Sequence, residues 1–187
     1  MIGIVLCGGL SSRLGFDKMN IQKGNKPLFQ WWKNMLNPIC SNVYISCTLE
    51  QKLKYKIKNA ILDEELNQGP MSGIITGIKK FPTESILVVA CDLVNLNEDN
   101  IKTLSTLRDK NKMATCYLNN ENNLPFPLFT VYENKIFSLL LNEYYNGRKS
   151  ALDVLLKSEI NIINNNINLK GINTTADLLE YQNSLNC

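Results

Sequence analysis

The stretch from Ile2 to Lys18 reads IGIVLCGGLSSRLGFDK. Its first five residues are mostly apolar and β-branched, which favours a short buried strand. Gly8 and Gly9 follow, and glycine lets a backbone turn sharply and bring its N–H groups close to a ligand. Two serines, Arg13 and finally Lys18 complete the loop. Such a loop suits a bound triphosphate. Its backbone N–H groups can donate to phosphate oxygens, and Arg13 and Lys18 can offset the negative charge of the phosphates.

Two better-known phosphate-binding loops do not fit this stretch. The P-loop requires G-x-x-x-x-G-K-[ST], whereas Gly15 is followed by Phe16, and the dinucleotide motif G-x-G-x-x-G is absent. Glycines alone would favour a simple tight turn between a strand and a helix, with Arg13 and Lys18 in solvent. Two glycines, two serines and two cations directly after a buried strand favour anion binding instead.

Length and composition bound the class of protein. The chain has 187 residues, of which 44% are hydrophobic and 20% charged, which is typical of one soluble globular domain over residues 1–187. No apolar run reaches membrane-spanning length, and the start lacks the basic region of a signal peptide. We therefore expect a cytoplasmic protein with no membrane partner. The net charge of +3 and the lack of a basic cluster argue against a nucleic-acid partner.

The sequence contains no histidine. This excludes Ser-His-Asp and Cys-His catalytic systems and any zinc site with a histidine ligand. Acid–base or metal chemistry is left to Asp, Glu, Lys, Tyr and Cys, and oxygen ligands favour a hard cation such as Mg²⁺. The six cysteines form no C-x-x-C pair, and most lie in apolar, strand-like runs, which predicts buried, reduced thiols.

Strands and helices are predicted to alternate along the chain. The predicted strands are Ile2–Leu6, Asn42–Thr48, Ala60–Leu62, Ser85–Cys91, Lys112–Leu118 and Pro127–Tyr132. The predicted helices run from Lys26 to just before Pro38, then over Leu49–Lys58, Met71–Phe81, Asn97–Asp109, Lys135–Tyr145 and Ser150–Leu156, with a last helix capped by Thr174 or Thr175. Residues 161–168 are predicted to be a polar loop or strand connection. This alternation predicts a three-layer α/β/α fold with a Rossmann-like, mostly parallel sheet.

Ligands of such sheets bind outside the carboxyl ends of the strands, which places the glycine loop, Asp63 and Asp92 at one edge. Asp92 directly follows the most apolar strand, and beside a triphosphate its carboxylate could hold a Mg²⁺ that bridges phosphate oxygens. The alternative is an ordinary turn or cap residue, and the glycine loop at the same edge favours metal binding. Asp63 suits a ribose hydroxyl or the N–H edge of a base, although its residue context alone favours a solvated acid.

Several short motifs follow the first loop in a fixed order. The first is G-G-x-S-x-R-x-G-x-D-K at 8–18, and N-K-P-L at 25–28, G-P-M-S-G-I at 69–74, C-D at 91–92, P-L-F-x-x-Y at 127–132 and N-T-T-A-D-L at 173–178 come after it. This series resembles that of the MobA-like nucleotidyltransferases, the family of the molybdenum cofactor guanylyltransferases. The resemblance covers most of the chain, and the first loop is highly specific to this transferase superfamily.

The resemblance implies the nucleotide-diphospho-sugar transferase type of fold and a guanylyl transfer. In that reaction GMP passes from GTP to the terminal phosphate of molybdopterin, with or without molybdenum, and pyrophosphate is released with Mg²⁺ as cofactor. Proteins that insert molybdenum or mature molybdoenzymes are the implied protein partners. Transfer to a phosphate needs no protein nucleophile, because the acceptor oxygen is already anionic and catalysis rests on placement and charge neutralisation.

The resemblance also implies roles for individual residues. It assigns guanine contacts through the main chain to the start of the loop, phosphate to Lys18, the nucleoside to Asp63 and Mg²⁺ to Asp92. The implied nucleotide-binding residues are Leu6, Cys7, Gly8, Gly9, Lys18, Asp63 and Asp92, and the implied catalytic residues are Arg13, Lys18 and Asp92. Asn173, in the last motif, is assigned to the acceptor. Arg148, in a loop before a helix, fits an anionic acceptor or a solvated turn equally well.

Some positions depart from the family pattern, mostly on the side expected to meet the acceptor. Val94 and Thr175 stand where the family usually has Pro, Phe126 where it often has His, and Gly171 where it has Asn. Two other functions therefore stay open. One is a cytidylyltransferase that acts on molybdopterin or on a sugar or polyol phosphate, and nucleotide choice distinguishes it. The other is a catalytically inactive nucleotide-binding protein, against which the presence of Lys18 and Asp92 argues.

Overall fold

A computed structural model of the chain describes residues 1–8, 17–62 and 69–185. The strands are β1 (Ile2–Leu6), β2 (Gln22–Lys23), β3 (Lys26–Pro27), β4 (Asn42–Cys47), β5 (Ala60–Leu62), β6 (Ile86–Ala90), β7 (Ala114–Asn119), β8 (Leu124–Tyr132) and β9 (Ile160–Ile163). The helices are α1 (Leu28–Leu36), α2 (Leu49–Lys54), α3 (Pro70–Lys80), α4 (Glu98–Thr106), α5 (Phe137–Tyr145), α6 (Ala151–Leu156) and α7 (Thr175–Ser184). Short 3₁₀ turns cover Lys18–Asn20 and Asn134–Ile136.

Seven of these strands form one sheet in the order β5-β4-β1-β6-β8-β7-β9. Strands β5, β4, β1 and β6 are parallel, β8 is antiparallel to both of its neighbours, and β7 and β9 are parallel to each other. Six of the seven strands therefore point the same way, and the predicted mostly parallel sheet is confirmed. A separate two-stranded antiparallel hairpin joins β2 and β3.

Successive side chains of the central strands pack on opposite faces of the sheet, as a pleated strand requires. In β1, Val5 joins a core with Trp32 of α1 and Leu104 of α4. Ile4 joins a second core, on the other face, with residues of α3 and α5 such as Ile74. Two apolar cores with helices outside each make the three-layer α/β/α architecture that the sequence predicts.

Helix α3 lies very close to the sheet because two of its residues lack side chains. A Cβ built on Gly77 would be 2.2 Å from Ile4 Cδ1, and one built on Gly73 would be 2.6 Å from Ser46 Oγ. The glycine pair therefore permits the close helix–sheet approach that its spacing predicts.

A third, smaller apolar cluster supports the carboxyl edge of the sheet. Ile21, Leu28, Val94, Ile172 and Tyr181 pack together. These residues bring the β2–β3 hairpin, the segment after β6 and the last helix into contact, so three remote parts of the chain meet beside the end of β6.

Several sequence predictions need correction. The first helix begins at Leu28 rather than Lys26, because Lys26 and Pro27 pair with β2 as strand β3. Residues 161–168 were predicted as a polar loop or strand connection, but their start belongs to β9, which pairs with the edge of β7 and buries Ile163. Strand β8 begins at Leu124 rather than Pro127, because Leu124 and Pro125 already pair with β7. The pairing of β8 with β6 starts only at Phe129. Helix α2 ends at Lys54 rather than Lys58, since Lys56 has a left-handed backbone (φ 52°).

The helix caps agree with the sequence. Asn97 and Thr174 are N-caps with capping boxes.

No helix in the part of the chain that the structure describes is long and apolar enough to cross a bilayer.

Candidate active site

A cavity of about 490 Å³ opens at the carboxyl ends of β1 and β6. The residues that follow β1, Cys7 and Gly8, line one side, and Cys91 and Asp92, which follow β6, line the floor. The backbone N–H of Cys91 donates to the carbonyl of Leu6 at 3.0 Å, which continues the β1–β6 pairing to the cavity. The cavity lies at the sheet edge where ligands of parallel sheets bind.

Lys18, Asp92 and Asn173 meet in this cavity. Lys18 Nζ lies 2.8 Å from Asp92 Oδ2 and 2.7 Å from Asn173 Oδ1. The side chains of the ion pair are 21% and 16% exposed, so both charges are reachable from the cavity yet largely shielded from bulk water. A cation and a carboxylate in such a position are suited to an anionic ligand and its metal counter-ion.

Asp92 is held tightly against the segment that precedes α7. Its carbonyl accepts a hydrogen bond from the N–H of Ile172 at 3.2 Å. A Cβ built on Gly171 would be only 2.9 Å from Asp92 Oδ1. The absence of a side chain at Gly171 therefore leaves the space that the Asp92 carboxylate occupies.

Asn173 is positioned by the cap of α7. Its N–H donates to Asp177 Oδ2 at 3.0 Å, and the N–H of Thr174 donates to the same oxygen at 2.9 Å. Lys170 forms an ion pair with Asp177 at 3.0 Å. The hydrogen bond from Lys170 first, and those from Asn173 and Thr174 after it, lower the pKa of Asp177. The capping carboxylate thus stays ionised and holds the Asn173 backbone.

Lys23, which the sequence did not single out, fixes the segment after Asp92. Its half-buried Nζ donates to the carbonyls of Val94 and Leu96, the latter at 2.8 Å, and lies 3.9 Å from the ring centroid of Trp31. Burial lowers the pKa of Lys23 to about 8. No local motif marks this lysine, because its partners are some 70 residues away in sequence.

Gln51 is a second residue that the sequence analysis missed. Its buried side chain contacts Thr48, Cys7 and Asp17, and so lies beside both ends of the glycine loop. The T-x-x-Q pattern of a capping box at 48–51 was a usable signal for its first contact.

The main-chain N–H groups at the start of the loop are already engaged. The N–H groups of Cys7 and Gly8 both donate to the carbonyl of Ser46, at 2.8 Å and 3.1 Å. Cys7 O accepts from Gln51 Nε2 at 3.3 Å. Main-chain contacts from this segment to a ligand are therefore left to carbonyl oxygens, each of which can accept a second hydrogen bond.

The far half of the cavity is apolar with a polar rim. Phe126 and Leu128 of β8 contribute apolar surface, while Asn119, Glu121 and Lys170 contribute polar groups.

The structure brings six of the predicted site residues to one cavity and places a seventh, Arg148, outside the lining of that cavity. Its lining includes Leu6, Cys7, Gly8, Lys18, Asp92 and Asn173. Gly9, Arg13 and Asp63 lie outside the described residues, and their roles stay predictions.

Arg148 is not part of the cavity lining. It forms an ion pair with Glu143, with Nη2 3.1 Å from Oε1. It follows helix α5, whose Tyr145 ring lies 5.5 Å from Nζ of Lys79 at the C-terminal end of α3. The cavity lies at the opposite, N-terminal end of α3, where Pro70 lines it.

The described cysteines are buried free thiols, as predicted. Burial raises the pKa of Cys7 well above its usual value, with hydrogen bonding to Cys91 as the next cause. Burial also raises the pKa of Cys40 and Cys116 to about 12. Thiols that stay protonated are poor nucleophiles, so Cys7 in the cavity wall is a packing residue rather than a reactive one.

The donor set fits a magnesium ion shared with a substrate. The described residues contain no group of three or more Asp, Glu or Cys that could hold a metal alone. Asp92 supplies one carboxylate and Asn173 one amide oxygen beside it. Mg²⁺ is commonly bound in this way, through one or two carboxylates plus substrate phosphates and water.

A mostly parallel sheet with a lysine and an aspartate at its carboxyl edge is the architecture of a nucleotidyltransferase of the nucleotide-diphospho-sugar transferase fold. The chain belongs to the MobA-like NTP transferase family, whose domain model matches residues 3–160.

Two curated relatives are similar to this chain in sequence, and one solved structure is similar to it in fold. A molybdenum cofactor biosynthesis bifunctional protein of Synechocystis sp. is 28% identical over 181 residues, 95% of this chain and 52% of that protein. The chain thus spans about half the length of this relative. A probable molybdenum cofactor guanylyltransferase of Flavobacterium johnsoniae is 25% identical over 178 residues, 93% of this chain and 92% of that protein.

The solved structure is molybdopterin-guanine dinucleotide biosynthesis protein A from Archaeoglobus fulgidus. It superposes with a TM-score of 0.78 at 20% identity, over 100% of this chain and 99% of that one. At this identity the likeness shows the fold alone.

Proposed function

We propose that this chain transfers GMP from GTP to the terminal phosphate of molybdopterin and releases pyrophosphate, in a reaction that depends on Mg²⁺. The observation that carries the proposal is the Lys18–Asp92–Asn173 cluster inside the cavity at the carboxyl edge of the sheet. The name of the F. johnsoniae relative supports a guanylyl transfer, and the name of the Synechocystis relative supports a role in molybdenum cofactor biosynthesis.

The reaction balances without a protein nucleophile. An anionic oxygen of the acceptor phosphate attacks the α-phosphorus of GTP, and the bond between that phosphorus and the α,β-bridging oxygen breaks. The electron pair leaves with pyrophosphate. A Mg²⁺ ion held by Asp92 would neutralise charge on the phosphate oxygens. Lys18 would donate to a phosphate oxygen, and this chain's main task is to align the attacking and leaving oxygens.

The main chain at the start of the loop favours guanine over other bases. The N–H groups of Cys7 and Gly8 are occupied by Ser46, which leaves carbonyl oxygens as the available contacts. Guanine carries two adjacent donors, N1–H and the 2-amino group, on one edge. Adenine and cytosine pair an amino group with a ring acceptor there, and that acceptor would face a carbonyl oxygen unfavourably.

Nucleotide selectivity tests the proposal first. We expect purified protein to bind GTP more tightly than CTP or ATP, with Mg²⁺ strengthening the binding, and to release pyrophosphate once molybdopterin is added. A preference for CTP would move the function to cytidylyl transfer. Binding without pyrophosphate release would indicate an inactive nucleotide-binding protein, and failure to bind any of the three nucleotides would contradict the proposal.

A further inference from the structure

Gln51 makes three hydrogen bonds through one buried amide group. Gln51 is buried, with 8% of the residue exposed. Oε1 accepts from the N–H of Thr48 at 3.0 Å, while Nε2 donates to the carbonyl of Cys7 at 3.3 Å and to Asp17 Oδ1 at 3.1 Å. One partner is a donor and two are acceptors, so only one orientation of the amide satisfies all of them.

The three bonds divide into two tasks. The bond from Thr48 N–H completes the capping box of α2, and either Gln or Glu can make it, since both present an oxygen. The two donated bonds need the NH₂ group, which a carboxylate lacks. Capping therefore does not explain why an amide is present at position 51.

The two acceptors lie on opposite sides of the glycine loop. The chain leaves β1 through Cys7 and Gly8, and it returns at Asp17, immediately before Lys18. Asp17 Oδ1 also accepts from the N–H of Met19 at 3.1 Å, which starts the 3₁₀ turn containing Lys18. A single side chain from another element thus joins the two ends of the loop.

We propose that Gln51 is a positioning residue for Lys18, which the proposed reaction uses to bind phosphate. Its amide sets the distance between the main chain at Cys7 and the carboxylate of Asp17, and through Asp17 it sets the place of Lys18. Fixing Lys18 in place reduces the conformational freedom that its side chain must lose when a nucleotide binds. The inference rests on the proposed nucleotide binding at this loop.

The charges around this amide permit a test by pH. Asp17 is the carboxylate in direct contact. Burial first, and Asp17 next, raise the pKa of the Tyr55 hydroxyl, and burial raises the pKa of the Cys7 thiol, so both are neutral between pH 5 and pH 8. Lys54 contributes a cation 5.2 Å from the Tyr55 ring. A carboxyl group introduced at position 51 would therefore respond mainly to Asp17.

Gln51→Glu separates the two tasks of the residue. The variant keeps the oxygen that caps α2, but at pH 8 it places a second carboxylate beside Asp17 and donates nothing. We expect the Kd for GTP with Mg²⁺ to rise about tenfold, the scale of losing a hydrogen bond to a charged group. Because a neighbouring carboxylate raises the pKa of the new carboxyl, it should be protonated near pH 5, and its single O–H should donate one of the two bonds. The ratio of its Kd to that of wild type should then fall from about tenfold to about threefold.

Two further variants separate this effect from general damage. Gln51→Met has a similar length but cannot donate, so its Kd should be raised at both pH values. Gln30→Glu makes the same substitution at an exposed position of α1 and should bind like wild type. Each variant is compared with wild type at the same pH, since GTP itself titrates in this range.

Amide hydrogen exchange of the nucleotide-free protein tests the same inference without a ligand. Exchange at Gly8 and Met19, corrected for intrinsic rates, should accelerate in Gln51→Glu at pH 8 and in Gln51→Met. At the remaining amides of the chain, the exchange rates of these variants should match those of Gln30→Glu. Unchanged exchange, or an equal loss of affinity for Gln51→Glu at both pH values, would overturn the positioning role. If exchange changes as expected but wild type binds no GTP, the proposed function fails and the loop-closing role of Gln51 stands.

Discussion

The site chemistry depends on the carboxylate of Asp92 more than on any other group. It lies at the end of the most buried strand, faces the Lys18 ammonium at 2.8 Å and packs against the bare backbone of Gly171. In the proposed reaction this carboxylate exchanges a lysine partner for a metal ion. Two substitutions test the two halves of that exchange.

Asp92→Asn removes the charge and keeps the shape of the side chain. We expect pyrophosphate release with Mg²⁺ to fall by at least about 100-fold, because a neutral amide is a poor ligand for a hard cation. The melting temperature should stay close to wild type. Asp99→Asn, at an exposed position of α4, serves as the control, and near wild-type turnover of Asp92→Asn would remove Asp92 from the metal role.

Lys18→Ala should act in opposite directions on metal binding and on turnover. Without nucleotide, the freed Asp92 carboxylate should bind Mn²⁺ several-fold more tightly, since the competing ammonium is gone. The value of kcat/KM should fall by more than about tenfold, since a charge donor to the phosphates is lost. Mn²⁺ titration followed by electron paramagnetic resonance measures the first effect. Weaker Mn²⁺ binding in this variant would show that Lys18 does not compete for Asp92.

At the scale of elements, the site depends on segments that hold one another in place. The β2–β3 hairpin carries Lys23, whose ammonium donates to two carbonyls of the segment after β6. Tyr181 of α7 donates to the carbonyl of Gln22 in the same hairpin at 3.2 Å. The hairpin therefore connects the last helix to the segment that follows Asp92.

Lys23→Met should loosen the segment after Asp92 without unfolding the protein. The methionine keeps contact with Trp31 but cannot donate to Val94 or Leu96. Amide exchange over residues 93–97 should accelerate by about tenfold, the scale of one or two net hydrogen bonds. Lys26→Met, at the exposed position opposite Lys23 in the hairpin, is the matched control. Equal exchange in the two variants would contradict this role of Lys23.

The contact of α3 with β1 can be tested by a double-mutant cycle. Gly77→Ala places a methyl group on Ile4 Cδ1 in a fully buried core, and we expect it to lower the free energy of unfolding by about 1–3 kcal/mol. Ile4→Val removes that Cδ1 atom, so the double variant should lose less than the sum of the two single losses. Strict additivity in urea unfolding would show that these atoms do not collide.

At the scale of the whole molecule, the edge opposite the cavity contains a charged network that connects several elements. Glu133, after β8, is 5% exposed and accepts from Arg108, with Nε at 2.6 Å from Oε1, and from Ser85 Oγ at 2.7 Å. Burial alone would raise the pKa of Glu133, but the hydrogen bonds from Arg108 and Ser85 outweigh it and lower the pKa. This network joins the ends of α4 and β8 to the start of β6.

The lowered pKa of Glu133 predicts a pH-dependent contribution to stability. A depressed carboxyl pKa adds stability above the unfolded value of about 4.3, and this stability is lost as pH falls through the folded pKa. Glu133→Gln should therefore be less stable than wild type by ~2 kcal/mol at pH 7. The difference in melting temperature should shrink as pH falls below about 4, and a constant difference from pH 7 to pH 3 would contradict the assignment.

The sequence by itself determined the local structure and much of the site. Apolar β-branched runs specify the buried strands, and short polar signals specify the caps at Asn97 and Thr174, because both act between near neighbours. Lys18 and Asp92 could be placed at one edge since parallel strands end together. The motif series also predicted the family.

Tertiary structure alone decided which remote groups meet. Lys18 and Asn173 are 155 residues apart, and nothing local relates them. The side chains of Gln51 and Lys23 donate to carbonyls on other elements. The pairing of β9 with β7 makes the start of an asparagine-rich tract an edge strand. These contacts depend on how helices pack on the sheet and on strand order. Packing and strand order are properties of the whole chain, because each is fixed by many apolar contacts formed together.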